Sequence, residues 1–254
     1  MGPQQTLIAY SIRILWMLLG WVELAVLTVP LYLASFLPGE RRGRWYVRLF
    51  RIWCRAFVHA LGVDLRLHQK NLHPLPPRYL LVANHPSAFE DVGIPALFNV
   101  DGLAKIEVRD WWIVGRISVA AGTLFVQRES RESRAKAARI IEQRLKEGRN
   151  VSVYPEGGVK GMRVHDSFRY GVFGISLRTG IPIVPVFIHY ESQRDFYWGS
   201  QSLPRKLLEL MRTRNNRANY YLYDAFNPGD FTDKEQYSEA VRRQFLVWQQ
   251  KYLD

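Results

Sequence analysis

A chain of 254 residues, 48% of them hydrophobic, can fold as one large domain with an appendage, and its net charge of +12 implies an anionic partner. Nucleic acid, acidic lipid headgroups and anionic small molecules all meet that requirement. The single cysteine, Cys54, excludes an intramolecular disulfide and any cysteine-cluster metal site, and its apolar, aromatic neighbours identify it as a packing thiol.

The first element is a nearly continuous apolar run from Ile14 to Phe36, broken by Glu23. As a helix it would reach roughly 34 Å, enough to cross a bilayer core. Trp16, Trp21 and Tyr32 favour membrane contact over burial in a soluble core, while Glu23 and Pro30 leave a full span, a tilted helix and a half-inserted helix open. Next, Arg41, Arg44, Arg48, Arg51 and Arg55 recur at intervals of three and four, lining one face of a second helix, with Trp45, Leu49, Ile52, Trp53 and Phe57 on its other faces. This basic, aromatic pattern predicts an interfacial membrane helix on an anionic bilayer surface. The arginine excess predicts that this side is cytoplasmic, at the inner (plasma) membrane. The chain therefore divides into membrane-anchoring helices over residues 1–61 and an α/β domain over residues 62–254.

Within the second part strands and helices alternate. Strands are expected at Val63–Leu67 and Tyr79–Ala83, then a helix from Val92 to Phe98. Gly102–Glu107 reads as a strand, Asp110–Ala121 as a helix and Thr123–Arg128 as a short strand. Ser133–Glu147 is helical, with Ala137, Ile141 and Leu145 on one stripe and Gly148 as its stop. A strand at Val151–Tyr154 precedes a helix at Tyr170–Arg178, strands at Ile183–His189 and Tyr220–Ala225, and a terminal helix at Lys234–Tyr252. The alternation predicts a mixed β-sheet flanked by helices, in which ligands gather at strand ends. Arg205, Lys206, Arg212, Arg214 and Arg217 form a later basic patch.

The most informative turn joins the Tyr79–Ala83 strand to the helix after it. Asn84-His85-Pro86-Ser87-Ala88-Phe89-Glu90-Asp91 delivers an imidazole to a strand end with two carboxylates within six residues. An imidazole oriented by a carboxylate is the minimal apparatus of general base catalysis. Ser87 reads as a turn-forming hydroxyl, because no G-x-S-x-G elbow surrounds it. His59, His68, His73, His165 and His189 lack clustered ligand spacing, so no metal is expected. A nucleic-acid partner is not expected either, since no recognition module or exposed stacking surface is legible.

Four separated blocks now converge. Asn84-His85 with Ser87 and Glu90 resembles the first motif of the glycerolipid acyltransferases, the group that includes bacterial 1-acylglycerol-3-phosphate acyltransferase. Lys105 with Gly122-Thr123-Leu124-Phe125-Val126-Gln127-Arg128 is similar to the second, Tyr154-Pro155-Glu156-Gly157 with Phe168-Arg169-Tyr170-Gly171 to the third, and Ile181-Pro182-Ile183-Val184-Pro185-Val186 to the fourth. The resemblance implies an O-acyltransferase domain over residues 62–254. It would move a fatty acyl chain from acyl-CoA or acyl-carrier protein, as co-substrate and without a further cofactor, to the hydroxyl of a lysophospholipid, first of all 1-acylglycerol-3-phosphate. His85 would be the base, and Glu90 or Asp91 its partner. Lys105, Arg128, Glu156, Gly157 and Gly158 would bind substrate, the glycine backbone supplying oxyanion donors.

Two positions depart from the family pattern. Glu90 stands where an aspartate is usual. Glu156-Gly157-Gly158-Val159 replaces the usual Glu-Gly-Thr-Arg, so the arginine associated with the acceptor phosphate is missing, with Lys160 and Arg163 close by in sequence. The second departure keeps another lysolipid acceptor, such as a lyso-aminolipid, open. A serine esterase or lipase acting through Ser87 is the remaining alternative.

Overall fold

The computed structural model describes residues 3–199 and 201–254, with side chains from residue 11 onward. Strands β1 (Asp64–Gln69), β2 (Leu80–Ala83), β3 (Val100–Asp101), β6 (Asn150–Val153), β7 (Ile183–Tyr190) and β8 (Arg217–Leu222) form one sheet in the order β1-β8-β7-β2-β6-β3. Only the β7–β8 pair is antiparallel. β4 (Leu103–Lys105) and β5 (Leu124–Val126) make a separate parallel pair.

β2 lies inside the sheet, and all four of its residues are buried, which suits a parallel strand covered on both faces. Its alternation divides two cores. Leu81 and Ala83 face the cluster that holds Ile94, Val184 and Val186, while Leu80 and Val82 face Ile141, Phe173 and Phe245. Helices α5 (Arg131–Lys146), α6 (Gly171–Thr179) and α9 (Lys234–Leu253) cover the second face. The first is covered by α2 (Gly39–Ala60), α3 (Glu90–Leu97), α4 (Trp112–Ala121) and, at its margin, α8 (Leu203–Arg212).

The sheet positions the site. β2, β6 and β7 run parallel and side by side, so the chain leaving β2 at Asn84, the chain leaving β6 at Tyr154 and the end of β7 at Tyr190 all emerge at one edge. Asn84 extends the ladder with its side chain. Its Nδ2 donates to Ile188 O at 2.9 Å, and Ile188 N–H donates to its Oδ1 at 2.7 Å. The main chain can therefore turn at His85 without orphaning the β7 backbone.

At the N-terminus α1 (Pro3–Ala34) folds back along α2. Tyr46 OH donates to Leu31 O at 3.0 Å, Trp53 Nε1 donates to Thr28 Oγ1 at 2.8 Å, and Glu23 pairs with His59 at 3.0 Å. The acid that interrupts the apolar run therefore meets a partner within the hairpin. The hairpin closes tightly at Gly20, where an added Cβ would lie 2.6 Å from Ala60 N and 2.7 Å from His59 C. Backbone cannot give way there, so Gly20→Ala should destabilise the protein by about 1–3 kcal/mol. Denaturant unfolding checks this, and an unchanged midpoint would mean that α1 is not held so closely.

Helix α2 differs from its expected interfacial role. Gly43 (φ 47°) kinks it, so Arg41 is out of line with the later arginines. Its aromatic face is largely covered by the protein: Tyr46, Trp53 and Cys54 are buried in the first core. Arg51 and Arg55 have a second use. Their Nε atoms donate to Pro95 O and Ala96 O at 3.2 and 2.8 Å, satisfying carbonyls at the C-terminus of α3, where cations also complement the helix dipole.

Three further expectations shift. The strand expected at Gly102–Glu107 stops at Lys105 and continues as a 3₁₀ turn, Ile106–Asp110. Residues 203–212, read only as basic, form amphipathic α8. Within it Lys206 is fully buried and donates to Tyr197 O at 2.6 Å, so it is no part of a surface patch.

Candidate active site

His85 sits just past the end of β2, buried, its ring stacked on Tyr154 from the neighbouring β6 turn at 4.1 Å and 8°. Its Nδ1 lies 2.8 Å from Glu90 Oε2. Of the two carboxylates, Glu90 is therefore the one that reaches the ring. The same oxygen accepts the Ser87 N–H at 3.1 Å, and the other accepts the Tyr190 hydroxyl from the end of β7. Tyr190 OH is in turn 3.3 Å from Tyr220 OH. Glu90 opens α3, where the helix dipole also favours negative charge. Burial pushes the Glu90 carboxyl well above the ordinary range, and the Tyr190 and Ser87 donors oppose that shift. Burial also takes His85 down to about 4, opposed by Asp91 and reinforced by Arg128, so the imidazole is neutral at pH 7. A neutral ring that donates Nδ1–H to Glu90 leaves the Nε2 lone pair for the cavity that His85 lines.

Asp91 makes no bond to the ring. One residue further along α3, it exposes its carboxylate to the same cavity. The surrounding protein pushes it up to about 6, with His85 and Arg128 opposing, so it is mostly ionised at neutral pH. Ser87 is buried, and its Oγ accepts the Phe89 N–H at 3.1 Å, closing the turn into α3. That bond gives the hydroxyl a structural use and leaves no serine–histidine pair, contrary to the esterase alternative.

Glu156 ties two loops together. One oxygen accepts the His85 N–H at 3.1 Å and the other the His165 N–H at 3.4 Å. Burial pushes its carboxyl up to about 7 against those two donors. Gly157 follows at φ 75°, and an added Cβ there would lie 2.2 Å from Arg169 Nε. Its N–H is already bonded to Tyr154 O at 3.1 Å. The Gly158 N–H makes no bond among the described residues, so of the two glycine amides it is the one available to an oxyanion.

The cavity measures about 590 Å³ and brings together His85, Asp91, Lys105, Arg128, Gly157 and Gly158. Lys105 is exposed and pairs with Glu107 at 2.8 Å, which reduces its charge toward a ligand. Lys160 and Arg169 also line it, whereas Arg163 turns to Asp254 at the C-terminus. A second cavity of about 530 Å³ shares Arg128, Gly157 and Arg169 with the first, but its other walls include the apolar Leu103, Val126, Ala137, Ile141 and Ile175. Sequence reasoning did not single out Tyr190 and Arg169 as site residues. Arg169 had a signal, its place in the third block; Tyr190 had none, lying 100 residues from Glu90.

The profile of the Acyltransferase family matches residues 64–189. A lyso-ornithine lipid O-acyltransferase of Pseudomonas aeruginosa is 34% identical over 174 residues, 68% of this chain and 66% of that protein. A 1-acyl-sn-glycerol-3-phosphate acyltransferase of Neisseria meningitidis is 28% identical over 152 residues, 59% of this chain and 57% of that protein. The match thus spans less than two thirds of either relative's length. The crystal structure of the 1-acyl-sn-glycerophosphate acyltransferase PlsC from Thermotoga maritima shares the fold, with a TM-score of 0.65 at 21% identity over 93% of this chain and 96% of that one. With four sequence blocks converging on one sheet edge and a family profile laid over the same segment, the chain belongs to the acyltransferase family.

Proposed function

We propose that the chain transfers a fatty acyl group from a thioester, acyl-CoA or acyl-carrier protein, to the hydroxyl of a lysolipid. The observation that carries this reading is the His85 Nδ1–Glu90 Oε2 contact of 2.8 Å, which leaves Nε2 to a cavity lined by cations and glycine backbone. Nε2 takes the hydroxyl proton as the acceptor oxygen attacks the thioester carbonyl. The Gly158 N–H receives the developing oxyanion, and Glu90 stabilises the imidazolium. Collapse expels the thiolate, which recovers the proton from Nε2. The apolar cavity beside Gly157 suits the acyl chain. Similarity to lyso-ornithine lipid O-acyltransferases and the absent family arginine support a lyso-aminolipid acceptor. Similarity to 1-acyl-sn-glycerol-3-phosphate acyltransferases supports 1-acylglycerol-3-phosphate as the second candidate.

The test is transfer of a labelled acyl group from each thioester to a panel of lysolipids by purified protein. Ser87→Ala should retain transfer within a few-fold, since its hydroxyl only closes a turn. Transfer to no lysolipid, or a trapped acyl group on Ser87, would defeat the reading.

The same reading places the protein on an anionic membrane surface, at the cytoplasmic face of the inner membrane. Helix α1 is apolar enough to cross a bilayer from Ser11 to Ala34, with a mean hydropathy of 2.0. Its side chains at Leu15, Leu19, Val22, Val26, Val29, Leu33 and Phe36 are exposed along one stripe. That stripe meets α4 where the Arg116 guanidinium lies 3.5 Å over the Phe36 ring. Trp112, 80% exposed, is one turn from Arg116, and the adjacent Trp111 lines the catalytic cavity. Apolar surface therefore runs from α1 toward the cavity, as entry of a lipid from a bilayer requires. Trp112→Asp should lower partitioning onto phosphatidylglycerol-containing vesicles about tenfold. Unchanged co-sedimentation would count against this docking face.

A further inference from the structure

The catalytic cavity carries charges of both signs, and one carboxylate in it has no use in the acyl-transfer chemistry. Asp91 opens onto the cavity, is mostly ionised at neutral pH, and has no hydrogen-bond or ion-pair partner among the described residues. Its neighbour Glu90 is fully occupied by His85, Ser87 and Tyr190. Successive helix positions differ by about 100° in direction, so α3 can hold one acid against the base and turn the next into the cavity.

The cations of the same cavity stand opposite. Arg128 attracts the Asp91 charge, yet the two do not pair, and Arg128, Lys160 and Arg169 have no acidic partner within ion-pair distance among the described residues. Lys105 is held by Glu107, and Glu129 is exposed at the wall. A purely anionic headgroup such as a phosphomonoester would find the cations but also meet Asp91 as a like charge. A headgroup with one anionic and one cationic group satisfies both walls. An ammonium group would supply donors for Asp91, which can only accept when ionised.

We propose that Asp91 is a specificity-determining residue that binds the ammonium group of a zwitterionic amino-acid lipid acceptor, whose carboxylate meets Arg128. The proposal rests on the acyl-transfer reading above and adds which headgroup the site selects. Asp91 acts on binding and orientation of the acceptor; the proton is still taken by His85.

The experiment compares wild type with Asp91→Asn and Asp91→Ser on three acceptors, with palmitoyl-CoA and palmitoyl-acyl-carrier protein as donors. The acceptors are a lyso-ornithine lipid, the same lipid with its free amine acetylated, and 1-acylglycerol-3-phosphate. Wild type should prefer the free amine over its acetylated form. Both variants should lose about 10- to 100-fold in kcat/KM on the free amine, chiefly through KM. On the acetylated lipid and on 1-acylglycerol-3-phosphate they should match or exceed wild type. A charge-assisted contact removed from one acceptor only is the signature, because a folding defect or a catalytic role would depress all three. Equal loss on every acceptor overturns the proposal and assigns Asp91 to the imidazolium instead. No loss on the free amine also overturns it. If wild type acylates 1-acylglycerol-3-phosphate alone, the headgroup assignment falls while acyl transfer stands; if it acylates none, the acyl-transfer reading falls with it.

Discussion

His85→Ala should reduce kcat/KM for acyl transfer by about 10³-fold or more, with the loss in kcat. Positioned proton transfer contributes about 10²–10⁴-fold, and nothing else beside the ring can replace it. Glu90 faces Nδ1 rather than the cavity, Asp91 is mostly ionised but outside bonding distance of the ring, and Glu156 is occupied by two backbone amides. The substitution also leaves a hole beside Tyr154, against which the imidazole stacks, and removes one donor from Glu90. Some destabilisation is therefore expected as well, and the assay should be run well below the variant's thermal midpoint. His85→Gln keeps more of the volume while lacking a base, so the two variants should agree in activity even if they differ in stability. A variant at alanine that still esterifies its acceptor at the wild-type rate would remove His85 from the mechanism.

Glu90→Gln should lower kcat by about 10²-fold, less than the roughly 10⁴-fold that accompanies a wrong histidine tautomer in a serine-protease triad. The reason is local. The Ser87 N–H can only donate, so it holds the amide oxygen of glutamine where Oε2 now lies, and that oxygen still accepts from Nδ1. The amide nitrogen then faces Tyr190, whose hydroxyl can turn to accept it and donate to Tyr220 at 3.3 Å. Geometry and tautomer survive, and what is lost is the negative charge that stabilises the imidazolium. Stability should move the other way. Burial raises the Glu90 pKa in the folded state. An acid with a raised folded pKa binds its proton more tightly when folded, so its contribution to stability declines as pH rises above the unfolded value of about 4.3. Glu90→Gln, which cannot ionise, should melt at or above wild type at pH 7, with the difference shrinking toward pH 4. Thermal unfolding at the two pH values checks the sign, and a variant that melts markedly lower at pH 7 would show that the carboxylate's three donors outweigh its desolvation.

Much of the site is local and was therefore legible before any fold. The strand ending at Ala83, the turn carrying His85, and the third-block glycines follow from hydrophobic runs and turn residues that act over a few positions. Glycine at 157 answers to a positive φ and to the close approach of Arg169. The choice between Glu90 and Asp91 was not legible, since both lie on the same turn and one residue of α3 rotation separates them. Nor was Lys206 legible as buried, because a lysine inside a basic sequence run is indistinguishable from its neighbours until Tyr197 O and Glu209 are brought to it.

By itself the amino-acid sequence determined the alternation of strands and helices, the apolar first helix and the identity of the base, because periodicity and turn chemistry are properties of neighbouring residues. Only the tertiary structure decided that Glu90 partners His85, that Tyr190 completes it from another strand, that the aromatic face of α2 covers the protein rather than a bilayer, and that Gly158 rather than Gly157 keeps a free amide. Each of those depends on parallel strands β2, β6 and β7 ending at one edge, a register set by contacts between residues far apart in the chain.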